Sequence, residues 1–324
     1  MELTNLATRP DKFTDTIDLI ERCFQYSSQN SFQEDFFPLV EKRNLENCWI
    51  LISEQDQVIA HSGCMVRKLA VGNADINVLL VGGVAVDESH RGKGYSFTIL
   101  NHILKQYSDV ALQILWSDKV QMYKKLGFFP CIDLYEVSKT SGFSSFYETT
   151  LAKLSDHELE CIQQLYQNSN DFRLRRTLED WRILADIKSS NLFIKASDQE
   201  ITNYFFINKG QDLQGVIHEF AHLSDLDEMR TFGKIWSPVK LKSSIDLFGC
   251  LARIGQHQQF KRAIRLLTNE RIEVFSIKEN ISFKFQANSY ELDTEEFLQG
   301  VLGPNRFEEL KDLSPIYISG LDSI

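Results

Sequence analysis

The stretch "LLVGGVAVDESHRGKGYSFTIL", residues 79–100, runs from an almost wholly apolar segment, through a short acidic loop, into a basic turn rich in glycine. An apolar run of this length, bounded by turn residues, reads as a strand covered on both faces. It ends near Val86, and the helix opened by Arg91, Gly92, Lys93, Gly94, Tyr95 and Ser96 runs from about Gly92 to Gln106. Glycines there let the backbone come close to a ligand. The unpaired N–H groups of a helix start, reinforced by the helix dipole, attract an anion. Arg91 and Lys93 add positive charge, which suits phosphate or pyrophosphate. Neither common nucleotide-binding motif accounts for the turn: the dinucleotide order G-x-G-x-x-G is absent, and so is the P-loop G-x-x-x-x-G-K-[ST].

Outward from this stretch, the first half alternates in kind. "DKFTDTIDLIERCFQY" has apolar residues at helical spacing, and "CWILISEQDQVIAHSGCMVRKLAV" reads as two strands around the turn Glu54 to Gln57. "INVLLVGGVAV" is the third strand and "VALQILW" a fourth; "DKVQMYKKL" is a short helix capped by Ser117 or Asp118 and stopped at Gly127. The pattern is α/β with a mixed central sheet flanked by helices. The polar segment "SKTSGFSSFYETT", 138–150, is the best linker, and it divides a domain of residues 1–137 from one of residues 151–324. Beyond it the order repeats loosely: two helices, a hairpin, then a helical "DLDEMRTFGKIW" and a strand "IEVFSI". A second, diverged copy of the same fold is the expectation.

Composition narrows the class. At 324 residues with 43% hydrophobic and 25% charged, the chain has enough apolar sequence for two cores. A net charge of −10 argues against general nucleic-acid binding and favours a cationic partner such as an amine. No apolar run approaches the roughly 18 residues that span a bilayer, and "MELTNLATRPDK" lacks a signal-peptide pattern, so a cytoplasmic protein without membrane attachment is expected. The six cysteines contain no C-x-x-C pair and read as reduced, mostly buried thiols.

One motif points elsewhere. "GVIHEFAHLSD", 215–225, contains His218-Glu219-Phe220-Ala221-His222, the zinc-hydrolase pattern H-E-x-x-H, which works only on a helix. Its surroundings instead read as a hairpin around Asn208 to Asp212. On a strand the two histidines stand about 13 Å apart, too far for one metal ion, and both are expected to be partly exposed. The further glycine and histidine of the metzincin continuation are replaced by Asp225 and Glu228. No metal is therefore expected.

The 79–100 stretch resembles the coenzyme A loop of the GNAT superfamily of N-acetyltransferases, [RQ]-x-x-G-x-[GA] between a central strand and a long helix. Arg91, Gly94 and Ser96 stand at its three defining positions, Ser96 departing from the usual Gly or Ala. "MYKKLGFFP", 122–130, is similar to the family's later aromatic and Gly-Phe segment, in the right order and at about the right separation.

The resemblance implies acetyl transfer from acetyl-CoA to a primary amine, small molecule or peptide, by direct attack. It places pantetheine along the backbone of Val84, Ala85 and Val86, with the Val84 N–H facing the developing oxyanion. Tyr123 falls where the family often has a tyrosine that protonates the leaving thiolate. The second copy carries "SDLDEMRT" where its phosphate loop would be, three acids and no glycine, so it is read as degenerate.

The family's frequent carboxylate base on the central strand has no counterpart between Ile76 and Val86. "SPIYISGLDSI" alternates apolar residues up to Ile324, which implies a packed end. Either it closes the second sheet as an edge strand, or the α-carboxylate of Ile324 reaches the first cleft and takes the amine proton. Asp87 and Glu88 either orient an amine or are simply solvated. The phenylalanines of "SFQEDFF", 31–37, and the four tryptophans read first as packing. A non-catalytic acyl-CoA sensor and a zinc hydrolase using His218, Glu219 and His222 remain alternatives.

Overall fold

The computed structural model of the chain describes residues 1–197 and 200–324. Its first half comprises β1 (Glu2–Asn5), α1 (Phe13–Phe24), the single turns α2 (Phe32–Asp35) and α3 (Phe37–Val40), β2 (Cys48–Ile52), β3 (Val58–Val71), β4 (Ala74–Val86), α4 (Tyr95–Gln106), β5 (Leu112–Leu115), α5 (Val120–Lys124) and β6 (Phe129–Val137). As its apolar run requires, β4 is covered on both faces. The buried stripe of α1, Ile17, Leu19 and Ile20, packs on one side with Ala85, and that of α4, Ile99, Leu100 and Ile103, on the other with Leu79 and Val81.

The second half repeats the order with β7 (Tyr147–Thr149), α6 (Asp156–Gln167), α7 (Leu178–Leu184), β8 (Asn191–Ser197), β9 (Glu200–Ile207), β10 (Val216–Phe220), α8 (Leu226–Met229), β11 (Lys234–Ser237) and β12 (Ile245–Ile254). Capping boxes Ser155/Glu158 and Thr177/Asp180 fix where α6 and α7 begin. Two expectations need correction. The segment 138–150 is not all linker, because β7 lies within it and pairs with β8. The helix expected over 225–236 is one turn, α8; Gly233 then lies against the main chain of Gly215, and β11 forms a strand beside β10.

These twelve strands form one sheet in the order β1-β2-β3-β4-β5-β12-β6-β11-β10-β9-β8-β7. Each half has one parallel pair, β4 with β5 and β10 with β11. The strand after each pair crosses over: β6 leaves the first half to lie against β11, and β12 leaves the second to lie against β5. β6 and β12 pair with each other at the centre.

A third unit, which the sequence pattern does not separate from the second half, begins after β12. α9 (His257–Leu267), β13 (Ile272–Ile277), β14 (Asn280–Phe285), β15 (Asn288–Asp293) and α10 (Thr294–Leu302) build it around its own antiparallel sheet. Phe260, Ile264, Phe283 and Phe297 of this unit share a core with Leu69, Ile76, Val78 and Leu80 of the first half. Residues 303–324 then return across the molecule, bridged at Ile316 to Phe172, and end against β4 instead of forming an edge strand. Among the described residues, no helix is long and apolar enough to cross a membrane.

Candidate active site

The site originates where β4 and β5 part. Their pairing runs from Val78 opposite Leu112 to Val81 opposite Leu115, where β5 ends. β4 continues to Val86 with β3 on one side only, so the backbone of Gly82 to Val86 has no strand partner on the other. A bulge at this point puts Gly83 at φ +58°, and the ring of His61 holds it, with Nδ1 2.7 Å from the Gly83 carbonyl. His61 is fully buried, which pushes its pKa down to about 4, so the neutral ring donates from Nδ1.

Beyond β4, Gly92 and Gly94 take φ +75° and +80°, left-handed values that glycine accepts without strain. A Cβ on either would meet nothing within 4 Å, so the turn faces open space. No side chain caps the start of α4, which leaves its first N–H groups free for an anion. Arg91 lies over the loop with Nε 3.4 Å from the Val86 carbonyl. Arg91, Gly92, Gly94, Tyr95 and Ser96 line a cavity of about 1250 Å³ together with Val84, Ala85 and Val86; Lys93 is exposed and outside the lining.

Tyr123 lines the same cavity from α5, 4% exposed and edge-on to Phe128. Burial pushes its pKa up to about 12, with the Ser117 hydroxyl beside it opposing the shift, so the phenol keeps its proton at neutral pH. Ile324 also lines the cavity, against Gly82 of β4. A Cβ on Gly82 would lie 1.9 Å from the Ile324 carbonyl oxygen, a position open only because residue 82 is glycine. The structure thus brings Tyr123, Ile324 and the β4 backbone to one cavity.

The cavity is also lined by Phe24, Tyr26, Phe32 and Phe36, together with Asp212 and Lys209. Phe32 and Phe36 therefore serve both packing and lining, as do Trp116 and Trp236, whereas Trp181 is core. Asp87 instead accepts from Ser89 and stays outside the cavity. Lys209 gives no sequence signal as a site residue, because Asn208 to Asp212 reads as an ordinary hairpin turn. Folding buries it to 1% exposure. That burial pushes its pKa down to about 7 while Asp322 and Asp35 pull it back up.

The second half has a comparable parting after Ile217 opposite Ile235. Here the cleft is filled: the Tyr317 hydroxyl lies 2.5 Å from the carbonyl of His218 and 3.1 Å from that of Trp236. His218, expected to be partly exposed, is buried, and its Nε2 donates to the Asn208 carbonyl at 2.7 Å. His222 is exposed, with Nε2 3.0 Å from the Thr202 carbonyl. Glu219 between them is fully buried and gripped by Arg176, at 2.8 and 2.5 Å, and Asp322 takes a further bond from Arg176 at 2.7 Å. The acids of 224–231 are engaged as well, Asp225 and Glu228 both accepting from Lys195.

Residues 7–131 match the acetyltransferase (GNAT) domain family. The fold as a whole is similar to a GCN5-related N-acetyltransferase from Kribbella flavida, at 12% identity and TM-score 0.59 over 100% of both chains. A GCN5-related N-acetyltransferase from Anabaena variabilis gives 16% identity and TM-score 0.57 over 90% of this chain and 85% of that one. A probable N-acyltransferase from Enterococcus faecalis gives 15% and 0.56 over the same shares. No curated protein matches the sequence. The family match is confined to residues 7–131, and the likeness to these solved structures, which extends over 90% or more of the chain, is one of fold.

Proposed function

We propose that this protein is an N-acetyltransferase that moves the acetyl group of acetyl-CoA to a primary amine of a small molecule or peptide. The observation that carries the reading is the convergence on one cavity of the glycine turn before α4, the unpaired edge of β4, Tyr123 and Ile324. Residues 1–137, completed by β12 and the tail, form the catalytic unit, and the second half is a copy that binds no coenzyme A.

The residues present fit acetyl-CoA. Arg91, the open glycines Gly92 and Gly94, and the free N–H groups of Tyr95 and Ser96 hold the pyrophosphate, with Lys93 adding charge from outside. The backbone of Val84, Ala85 and Val86 pairs with pantetheine as a missing strand would. The ammonium of the acceptor gives a proton to the Ile324 α-carboxylate, and the freed amine attacks the thioester carbon. The oxyanion forms against the Val84 N–H. As the C–S bond breaks, Tyr123 delivers its proton to the departing sulfur, and the phenolate is restored by the surplus proton that the nitrogen sheds as it becomes the amide.

Calorimetric titration with acetyl-CoA, then a screen of amines for thiol release, tests the reading. Binding and turnover are expected; binding without turnover on any amine makes the protein a sensor instead. A short Gly-Ser extension after Ile324 tests the base: kcat should fall with folding and acetyl-CoA affinity intact, and wild-type turnover would remove the carboxylate from the mechanism.

A further inference from the structure

We infer that Lys209, from the second half of the chain, is a positioning residue that fixes the Ile324 carboxylate in the first half's cleft by holding the main-chain carbonyls just before it. The inference rests on the reading of Ile324 as the proton acceptor.

Lys209 Nζ lies 2.7 Å from the Gly320 carbonyl, 2.6 Å from that of Ser323 and 3.2 Å from Ser323 Oγ, an acceptor for each ammonium proton. Ser323 is the residue immediately before Ile324, so the cation clamps the last peptide unit directly. The same turn closes on itself, with the Ser323 hydroxyl donating to Gly320 O at 2.7 Å and the Ser323 N–H to Ser319 O at 3.1 Å. A cation on the last carbonyls of a turn is the stabilising arrangement seen at helix C-termini.

The lysine is itself held. Its Nζ sits 4.3 Å from the centre of the Phe36 ring, and the next residue, Gly210, lies against Asp35, so close that a Cβ there would come within 2.1 Å of the carboxylate. The hairpin tip therefore docks on the first half and carries the clamp to it. A buried ammonium normally seeks a carboxylate partner. Among the described residues, the hydrogen-bond partners of Lys209 are instead two carbonyls and a hydroxyl of the tail. Asp35, Asp212, Asp322, Arg176 and His218 are the charged and titratable groups around it.

The test uses the full chain with Lys209→Met, which removes the charge and donors but keeps the stem, and Lys209→Arg. Hydrogen exchange of residues 316–324 is followed by mass spectrometry, and kcat and KM are measured with acetyl-CoA and the fastest amine of the screen. The expectation for Lys209→Met is roughly 10²-fold lower kcat, KM for acetyl-CoA within about twofold, and faster exchange in the tail; Arg should restore part of both. Normal kcat and normal tail exchange in Lys209→Met, while the Gly-Ser extension does lower kcat, would overturn the clamp and leave the base intact. Wild-type turnover in the extended chain removes the base whatever Lys209 does. If Lys209→Met does not fold, Lys209→Gln replaces it, and reduced stability with unchanged tail exchange counts against the clamp. The exchange arm decides even where no amine turns over.

Discussion

Gly82→Ala is the smallest change that should separate the tail from the reacting centre. Gly82 does not have a positive φ, so alanine adds no backbone strain there. Its Cβ would stand 1.9 Å from the Ile324 carbonyl oxygen and 2.1 Å from the carbonyl carbon. Real Cβ contacts essentially never fall below 3.0 Å, so the carbonyl group must retreat by about 1.1 Å or more. The atoms in the way are main chain, which cannot swing aside as a flexible side chain would. A misplacement of about 1 Å at a reacting group costs on the order of 10²-fold in rate. The expected result is kcat lower by about that factor, with acetyl-CoA affinity and thermal midpoint close to wild type, since the tail end alone moves. Steady-state kinetics, calorimetry and a melting curve on one preparation measure all three. Unchanged kcat would refute the role of Ile324; lost acetyl-CoA binding would show that the methyl blocks the cosubstrate rather than the base.

Tyr123→Phe should lower kcat by roughly 10² to 10⁴-fold with a small change in KM, whereas a tyrosine that only packs would leave turnover normal and lower the melting temperature. Because the phenol titrates only near 12, the kcat profile should show no descending limb from Tyr123 below about pH 11, which a wild-type pH series checks. Gly94→Glu puts a charged side chain into the open turn at φ +80° and should abolish acetyl-CoA binding in calorimetry, with folding retained. Arg176→Leu leaves Glu219 and Asp322 buried without their cation and should cost about 3–5 kcal/mol in denaturant unfolding. Glu228 is held down to about 2, first by Lys195 and then by Ser145. Its contribution to stability is therefore present above its ordinary value near 4.5 and lost as pH falls through 2; Glu228→Gln should melt lower at pH 6, the difference vanishing by about pH 2.

The local elements are legible because their signals are local. The apolar run of β4, the glycines at 92 and 94 and the capping boxes each depend on a few neighbouring residues. The order of elements also discloses the repeat. The crossing of β6 and β12 is not readable, since either strand satisfies the same alternation whichever half it joins. The unit of α9 to α10 merges into the second half for the same reason: its strands carry ordinary periodicity, and only contact with Leu69 and Ile76 separates it. The burial of His218 escapes the pattern because two histidines in an apolar strand imply exposure, whereas the hairpin tip supplies a carbonyl that lets one be buried neutral. Lys209 emerges only on folding the chain, because its partners lie more than a hundred positions away.

The exchange of β6 and β12 also governs the order in which the molecule can assemble. β5 closes one side of the cleft, yet its neighbour is β12, with Leu115 opposite Leu251. While a nascent chain has emerged only to the end of β6, β5 and β6 present unpaired edges, which readily pair with the wrong chain. Contacts between residues so distant in sequence form late and slow the folding of sheets. Cutting the chain at 137 would therefore not liberate a small working enzyme but an aggregation-prone intermediate. Supplying residues 138–324 as a separate chain should rescue its solubility, since that piece carries the strand β5 is waiting for.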